Sequence, residues 1–220
     1  MSIIEKIRGF GYSTEKTKQD TLYITRIIFR DNIKGDFVEC GVAQGVQVAI
    51  MESVNNQQKE PRKVWCFDSF EGIPMATNKD DQQCGIGYFS DGVVKPVKKG
   101  DHLISSGITV HTLTQVQFML SNWIGKLDNF IFVKGWFENT VPECEVKDIA
   151  LLRLNGDLYE STIVCLEHLF PKVVEGGYVI IDDWGLAGCR LACDEYFKDY
   201  KNVLIFGDVD SNEPILFQKK

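Results

Sequence analysis

Apolar residues recur along this chain in short, nearly continuous runs rich in β-branched and aromatic side chains, at 36–40, 63–67, 129–133, 149–154 and 177–181. Unbroken apolar character over so short a run marks a strand buried on both faces, as in a parallel sheet. The stretches between these runs predict helices over 15–33, 45–55, 112–124, 159–171 and 186–200. Strands alternating with helices imply an α/β doubly wound sheet with helices on both faces. The last part of the chain breaks the alternation. Runs 203–206 and 214–217 flank Gly207-Asp208-Val209-Asp210-Ser211-Asn212, a connection too short for a crossover helix, which predicts an antiparallel hairpin. The expected sheet is therefore seven-stranded, with five parallel strands and a C-terminal antiparallel hairpin.

One stretch does not follow this rhythm. Residues 72–107 are polar, contain glycines and show weak periodicity, and a long segment of that kind in a compact fold is commonly functional. They are expected to form a mobile, lid-like insertion over a ligand site. The chain of 220 residues is read as a single domain (1–220) with an N-terminal helical segment over 1–34. An apolar fraction of 44% is enough for a substantial core. A net charge of −7 argues against nucleic acid as a partner, because such binders normally present a basic face. No apolar run approaches the roughly 20 residues of a membrane span. The first residues also lack the apolar stretch of a signal peptide, so the expectation is an intracellular, cytoplasmic protein. The seven cysteines are odd in number and include no C-x-x-C pair. They are expected to be buried free thiols, with Cys189 and Cys193 on one helix face.

Candidate chemistry gathers at the ends of the expected strands. After the first comes Glu39-Cys40-Gly41-Val42-Ala43-Gln44-Gly45. Gly41 and Gly45 permit a tight turn and close approach of a ligand to the backbone and the next helix. The spacing is G-x-x-x-G, so the dinucleotide fingerprint is missing, and Glu39 suits an ammonium group better than a diphosphate. After the second strand, Asp68-Ser69-Phe70 places a carboxylate where it could accept both hydroxyls of a ribose. These two sites together describe a nucleoside cofactor with little phosphate recognition, which S-adenosylmethionine satisfies and a nicotinamide dinucleotide does not. After the third, Gly135-Trp136-Phe137 offers aromatic surface that either packs on a purine or belongs to the core. The fourth and fifth end in Asn155-Gly156-Asp157 and Asp182-Asp183. Adjacent strand ends bring such groups together, so these residues either bind a hard cation such as Mg²⁺, supply a general base, or cap the following helices.

The motifs around these positions resemble one family. Gly35-Asp36-Phe37-Val38-Glu39-Cys40-Gly41-Val42, Phe67-Asp68-Ser69-Phe70-Glu71-Gly72-Ile73-Pro74 and Lys134-Gly135-Trp136-Phe137-Glu138-Asn139-Thr140-Val141-Pro142 are similar to signatures of the macrocin/mycinamicin sugar O-methyltransferases. Leu151-Leu152-Arg153-Leu154-Asn155-Gly156-Asp157-Leu158-Tyr159-Glu160-Ser161-Thr162 and Gly176-Gly177-Tyr178-Val179-Ile180-Ile181-Asp182-Asp183-Trp184 follow in the same order. Five parallel strands and a terminal hairpin also suit the class I methyltransferase (Rossmann-like) sheet. The resemblance implies methyl transfer from S-adenosylmethionine to a deoxysugar hydroxyl on a glycan or glycosylated natural product, with Mg²⁺ support. By position, Glu39 and Gly41 would line the methionine end of the cofactor and Asp68 the ribose. Gly45, Ser69, Phe70, Gly135, Trp136, Phe137 and Asn155 would complete its contacts. Asp157 would be the general base, and Asn155, Asp182 and Asp183 would hold the metal positions. The family usually has Asp where this chain has Asn155, so the metal site loses a charge and Mg²⁺ affinity should fall. Family members often self-associate, which adds a homodimer to the expectations. A catechol or phenol O-methyltransferase and a catalytically silent, cofactor-binding regulatory module are the competing readings, with a nicotinamide oxidoreductase third, disfavoured by the missing phosphate loop and the terminal hairpin.

Overall fold

The structure is a computed structural model that describes residues 1–80, 98–99, 102–200 and 202–220. Its main sheet holds β1 (Asp36–Cys40), β2 (Val64–Asp68), β3 (Phe130–Lys134), β4 (Ile149–Leu154), β5 (Val173–Ile181), β6 (Val203–Phe206) and β7 (Ile215–Lys219). The order across the sheet is β3-β2-β1-β4-β5-β7-β6. Strands β1 to β5 pair in parallel, and β7 runs antiparallel between β5 and β6. The five-plus-hairpin sheet expected from the sequence is the sheet observed.

Helices cover both faces: α1 (Ile3–Lys6), α2 (Glu15–Arg30), α3 (Val46–Asn55), α4 (Leu113–Ile124), α5 (Phe137–Thr140), α6 (Tyr159–Leu169) and α7 (Ala187–Phe197). Strand alternation divides the apolar side chains between two layers. Phe37, Leu151, Tyr178 and Ile180 join Ile24, Ile28, Ile50, Met51, Leu120 and Trp123 on one face. Val38, Cys40, Leu152, Leu154, Val179 and Ile181 join Leu166, Leu169, Phe170, Cys189 and Cys193 on the other. Cys189 and Cys193 are thus buried together on α7, and the six cysteines among the described residues are all free. Cys84 lies outside the described residues.

Several element boundaries differ from expectation, and three of the differences have identifiable reasons. β5 begins at Val173, four residues early, because Gly176 and Gly177 are carried inside it. Ile149 pairs with Val173 and Leu151 with Tyr178, so the strand bulges between them, with Gly176 at φ 77°. α2 stops at Arg30 because Asn32 is left-handed at φ 55°. α6 gives way to a 3₁₀ turn at Phe170–Lys172, where Pro171 removes an amide donor. No helix among the described residues is long and apolar enough to cross a membrane.

The lid-like stretch 72–107 is partly outside the described residues, namely 81–97, 100 and 101. What is described forms a stem. Ile73 and Met75 exchange backbone hydrogen bonds with Ile104, Ser106 and Ile108 (2.8–3.0 Å), and Lys98–Lys99 pairs antiparallel with His102–Leu103. The chain leaves β1 toward β2 and β3, then returns to β4 on β1's other side. Above the carboxyl ends of β1 and β4 this reversal opens a crevice, where open α/β sheets bind ligands.

Candidate active site

The turn after β1 is fixed by contacts that allow no side chain at its first position. Gly41 has φ 88°, and a Cβ there would lie 1.8 Å from the Asn155 carbonyl oxygen. Asn155 in turn donates its backbone N–H to the Cys40 carbonyl (2.9 Å) and its side-chain amide to the Gly41 carbonyl (3.0 Å). Gly45, at φ 84°, starts α3 and packs on Val116 and Leu120.

Asp68 clasps this turn from β2. Its Oδ2 accepts from the N–H groups of Val42 (2.8 Å) and Ala43 (3.0 Å), and its Oδ1 accepts from Phe70 N–H (2.7 Å). Burial raises the Asp68 pKa while these three donors pull it back down. Phe70 is left-handed at φ 54° and buries its ring in the core, away from the cleft. Ser69 accepts from Glu71 N–H (3.0 Å) and donates to the Gly72 carbonyl (2.8 Å). Gly135, at φ 147°, ties β3 back to Asp68 through a 3.0 Å backbone bond and leads into Trp136 and Phe137 at the start of α5.

Across the cleft, the ends of β4 and β5 concentrate acid. Asp157 adopts φ 59° and donates its backbone N–H to Asp183 Oδ2 (2.9 Å). Burial, then repulsion from Asp183 and Asp182, raises the Asp157 pKa well above the carboxylate range. The same causes, burial and then Asp182, push Asp183 up to about 7. Asp182 is held differently. Its Oδ1 lies 2.7 Å from Arg153 Nη2, and Ser13 Oγ approaches its Oδ2 at 3.3 Å.

Arg153 is fully buried and also pairs with Glu39 (Nη1 to Oε1, 2.6 Å). Burial opposes its charge, but Asp182 and Glu39 more than offset that and raise its pKa. Burial pushes Glu39 up to about 7 against the pull of Arg153. The sequence reading set Glu39 at the methionine end of a cofactor. Here its carboxylate, 1% exposed, sits behind the cleft wall and is engaged with Arg153.

A single cleft of about 660 Å³ joins these parts. Gly41, Asp68, Ser69, Trp136, Phe137, Asn155, Asp157, Asp182 and Asp183 line it, whereas Glu39, Gly45, Phe70 and Gly135 shape its walls from behind. The N-terminal segment contributes Tyr12, Ser13, Thr14 and Thr17, and the hairpin turn contributes Asn212, Glu213 and Pro214. Among the described residues no three His, Cys, Asp or Glu side chains are grouped as a metal site. Sequence reasoning missed Arg153, although an arginine inside an apolar run signals a buried charge that needs partners. It also missed Ser13 and Asp80, which no motif marks.

The strand order, the terminal hairpin and a cleft at the β1/β4 reversal define a class I methyltransferase fold. The chain belongs to the Macrocin-O-methyltransferase (TylF) family, whose model matches residues 15–212. It is 35% identical over 180 residues to the 8-demethyl-8-(2,3-dimethoxy-alpha-L-rhamnosyl)-tetracenomycin-C 4'-O-methyltransferase of Streptomyces olivaceus, covering 81% of this chain and 64% of that protein. Identity to the mycinamicin III 3''-O-methyltransferase of Micromonospora griseorubida is 32% over 172 residues, covering 76% of this chain and 62% of that protein. The chain therefore spans less than two thirds of the length of these relatives. Among solved structures, the O-methyltransferase NovP superposes with a TM-score of 0.77 at 26% identity, covering 93% of this chain and 79% of NovP. The calicheamicin methyltransferase CalS11 shares the fold, with a TM-score of 0.64 at 19% identity over 93% of this chain and 80% of CalS11.

Proposed function

We propose that this protein is an S-adenosylmethionine-dependent O-methyltransferase whose acceptor is a sugar hydroxyl on a glycosylated natural product or glycan. The observation that carries the reading is one cleft holding a glycine turn clasped by Asp68, an aromatic edge at Trp136 and Phe137, and the Asp157 carboxyl. Relatives named for rhamnosyl-tetracenomycin and mycinamicin substrates support a sugar acceptor.

In this reading the Gly41 backbone, Asp68 and Ser69 hold the methionine and ribose parts of the donor, and Trp136 and Phe137 face its adenine. The donor supplies a methyl group already activated on a sulfonium, so the protein has to align the acceptor oxygen and remove its proton. Asp157 takes that proton as the new C–O bond forms, while the electron pair of the broken C–S bond stays on sulfur. A carboxylate whose pKa is raised by burial is a better base than one in water, which suits the role. Tyr12, Thr14 and Thr17 wall the cleft and help exclude water.

The donor set also suits a hard cation, because Asp157 and Asp183 are half-buried in the cleft wall and, among the described residues, form no ion pair of their own. Asp182, Asp183 and the Asn155 amide oxygen would hold Mg²⁺, which would polarise the acceptor hydroxyl. With only two carboxylates, one already shared with Arg153, this site is a weak one. A cytoplasmic, self-associating enzyme completes the proposal.

The test is isothermal titration of S-adenosylmethionine with and without Mg²⁺, followed by methyl transfer to a panel of rhamnosides. Asp157→Asn keeps the shape and tolerates the left-handed backbone, which alanine would strain. It should lower kcat by about 10²- to 10⁴-fold with donor affinity unchanged. Absence of donor binding would sink the methyltransferase reading, and unchanged kcat would remove Asp157 from the base role.

A further inference from the structure

Helix α6 begins three residues after Asn155-Gly156, and its cap residue Leu158 has no side chain able to accept a hydrogen bond. The Tyr159 N–H at that end is nevertheless satisfied, by Asp80 Oδ1 at 2.8 Å, from the far side of the insertion stem. The other oxygen of the same carboxylate accepts from the Thr77 N–H (2.8 Å) and is met by the Thr77 hydroxyl (3.1 Å). Asp80 is buried at 8% exposure. At the start of α7, a Cβ on Gly188 would lie 1.9 Å from Asp80 Oδ1, so only glycine leaves room for the carboxylate. Lys79 strengthens the seat, with its ammonium 3.5 Å from the Tyr159 ring centroid and 3.7 Å from Glu160 Oε1. One side chain thus joins the stem to the two helices that follow the acidic strand ends.

We propose that Asp80 is a positioning residue for methyl transfer, pinning the stem to the start of α6 and so fixing the loop that presents Asp157. The inference rests on the methyltransferase reading. A non-glycine residue held at φ 59° persists only where its surroundings over-determine it, and this loop has three pins. Asn155 is bonded to Cys40 and Gly41, Asp157 to Asp183, and Tyr159 to Asp80. Among the described residues Asp80 is the insertion's hydrogen-bonded pin on this loop, with Lys79 beside it on Tyr159 and Glu160, so stem and base loop are joined.

Asp80→Asn tests this, because an amide offers one oxygen where the carboxylate offers two. It can accept from Tyr159 or from Thr77, but not from both. The first readout is hydrogen–deuterium exchange over 155–162, expected to speed up about tenfold while exchange in β1 and β4 stays as in the wild type. The second is methyl transfer to the rhamnoside that the wild-type protein methylates. There kcat should fall about 10- to 100-fold, with the KM for S-adenosylmethionine and the melting temperature nearly unchanged. Exchange at the wild-type rate, or a kcat within about twofold of wild type, would overturn the proposal. So would a kcat loss that merely tracks loss of folded protein. If the wild type itself neither binds the donor nor transfers methyl, the parent reading fails, and the exchange arm still decides whether Asp80 pins the loop.

Discussion

At the β1–β2 end of the cleft both oxygens of Asp68 face backbone N–H groups, whereas at the β4–β5 end Asp157, Asp182 and Asp183 face one another and a single guanidinium. The first arrangement is one carboxylate held by three neutral backbone donors, which oppose the rise in its pKa on burial. The second is charge held in low dielectric, where neighbouring carboxylates help raise the pKa values of Asp157 and Asp183. For the proposed reaction, a site that seats a donor in a fixed pose and also accepts a proton needs both kinds of construction. The difference teaches that the two ends should fail in different ways.

The largest expected loss comes from Gly41→Ala. With the Asn155 carbonyl 1.8 Å from the new methyl, the turn and the β4 loop must separate, at a cost above about 4 kcal/mol. Urea unfolding should show that loss equally at pH 5 and pH 8. Arg153→Met comes next, because it strands Glu39 and Asp182 without their cation and should cost about 3–5 kcal/mol near neutral pH. Its deficit should shrink at pH 5, where protonation relieves the buried carboxylates. A deficit independent of pH would erase the distinction between the two ends. Asp68→Asn should cost about 1.5–3 kcal/mol in donor affinity, read by titration, since an amide cannot accept from all three N–H groups.

The smallest effect is the pH dependence of the wild type. Asp183 and Asp157 have raised folded pKa values, so the folded state binds more protons than the unfolded chain above the ordinary carboxyl value. The Asp183 contribution to stability is full below about pH 4 and lost as pH rises through about 7, and the Asp157 contribution is lost in the same direction. The melting temperature should fall by a few degrees (about 2–8 °C) between pH 5 and pH 8. Asp183→Asn should flatten part of that slope, with Glu39 supplying another part, and methyl transfer should rise with pH as Asp157 ionises.

Much of this was legible in the sequence because apolar runs and turn residues report on local structure. Runs 36–40, 149–154 and 203–206 became β1, β4 and β6 without change, and the short link at 207–212 correctly required a hairpin. Most of the expected site residues reach the cleft because strand ends in this topology point there. Glu39 shows where such reasoning runs out. Its place in the motif predicted a ligand contact, but strand register sets it beside Arg153 on the neighbouring strand. The two charges lie 114 positions apart, and only the paired β1 and β4 ladder reveals them as partners. Asp80 escaped notice for a similar reason. It caps a helix 79 positions away, and capping is readable from sequence only when the cap is local.

On the proposed base role of Asp157, its left-handed backbone also governs how descendants of this chain could lose activity at this position and keep their fold. At φ 59° only glycine and, next best, asparagine replace aspartate without backbone strain. Drift toward inactivity through any other residue would carry a folding defect and be removed by selection for abundance. Silent relatives that persist should therefore be recognisable by Asn or Gly at this one position, above an otherwise intact cleft.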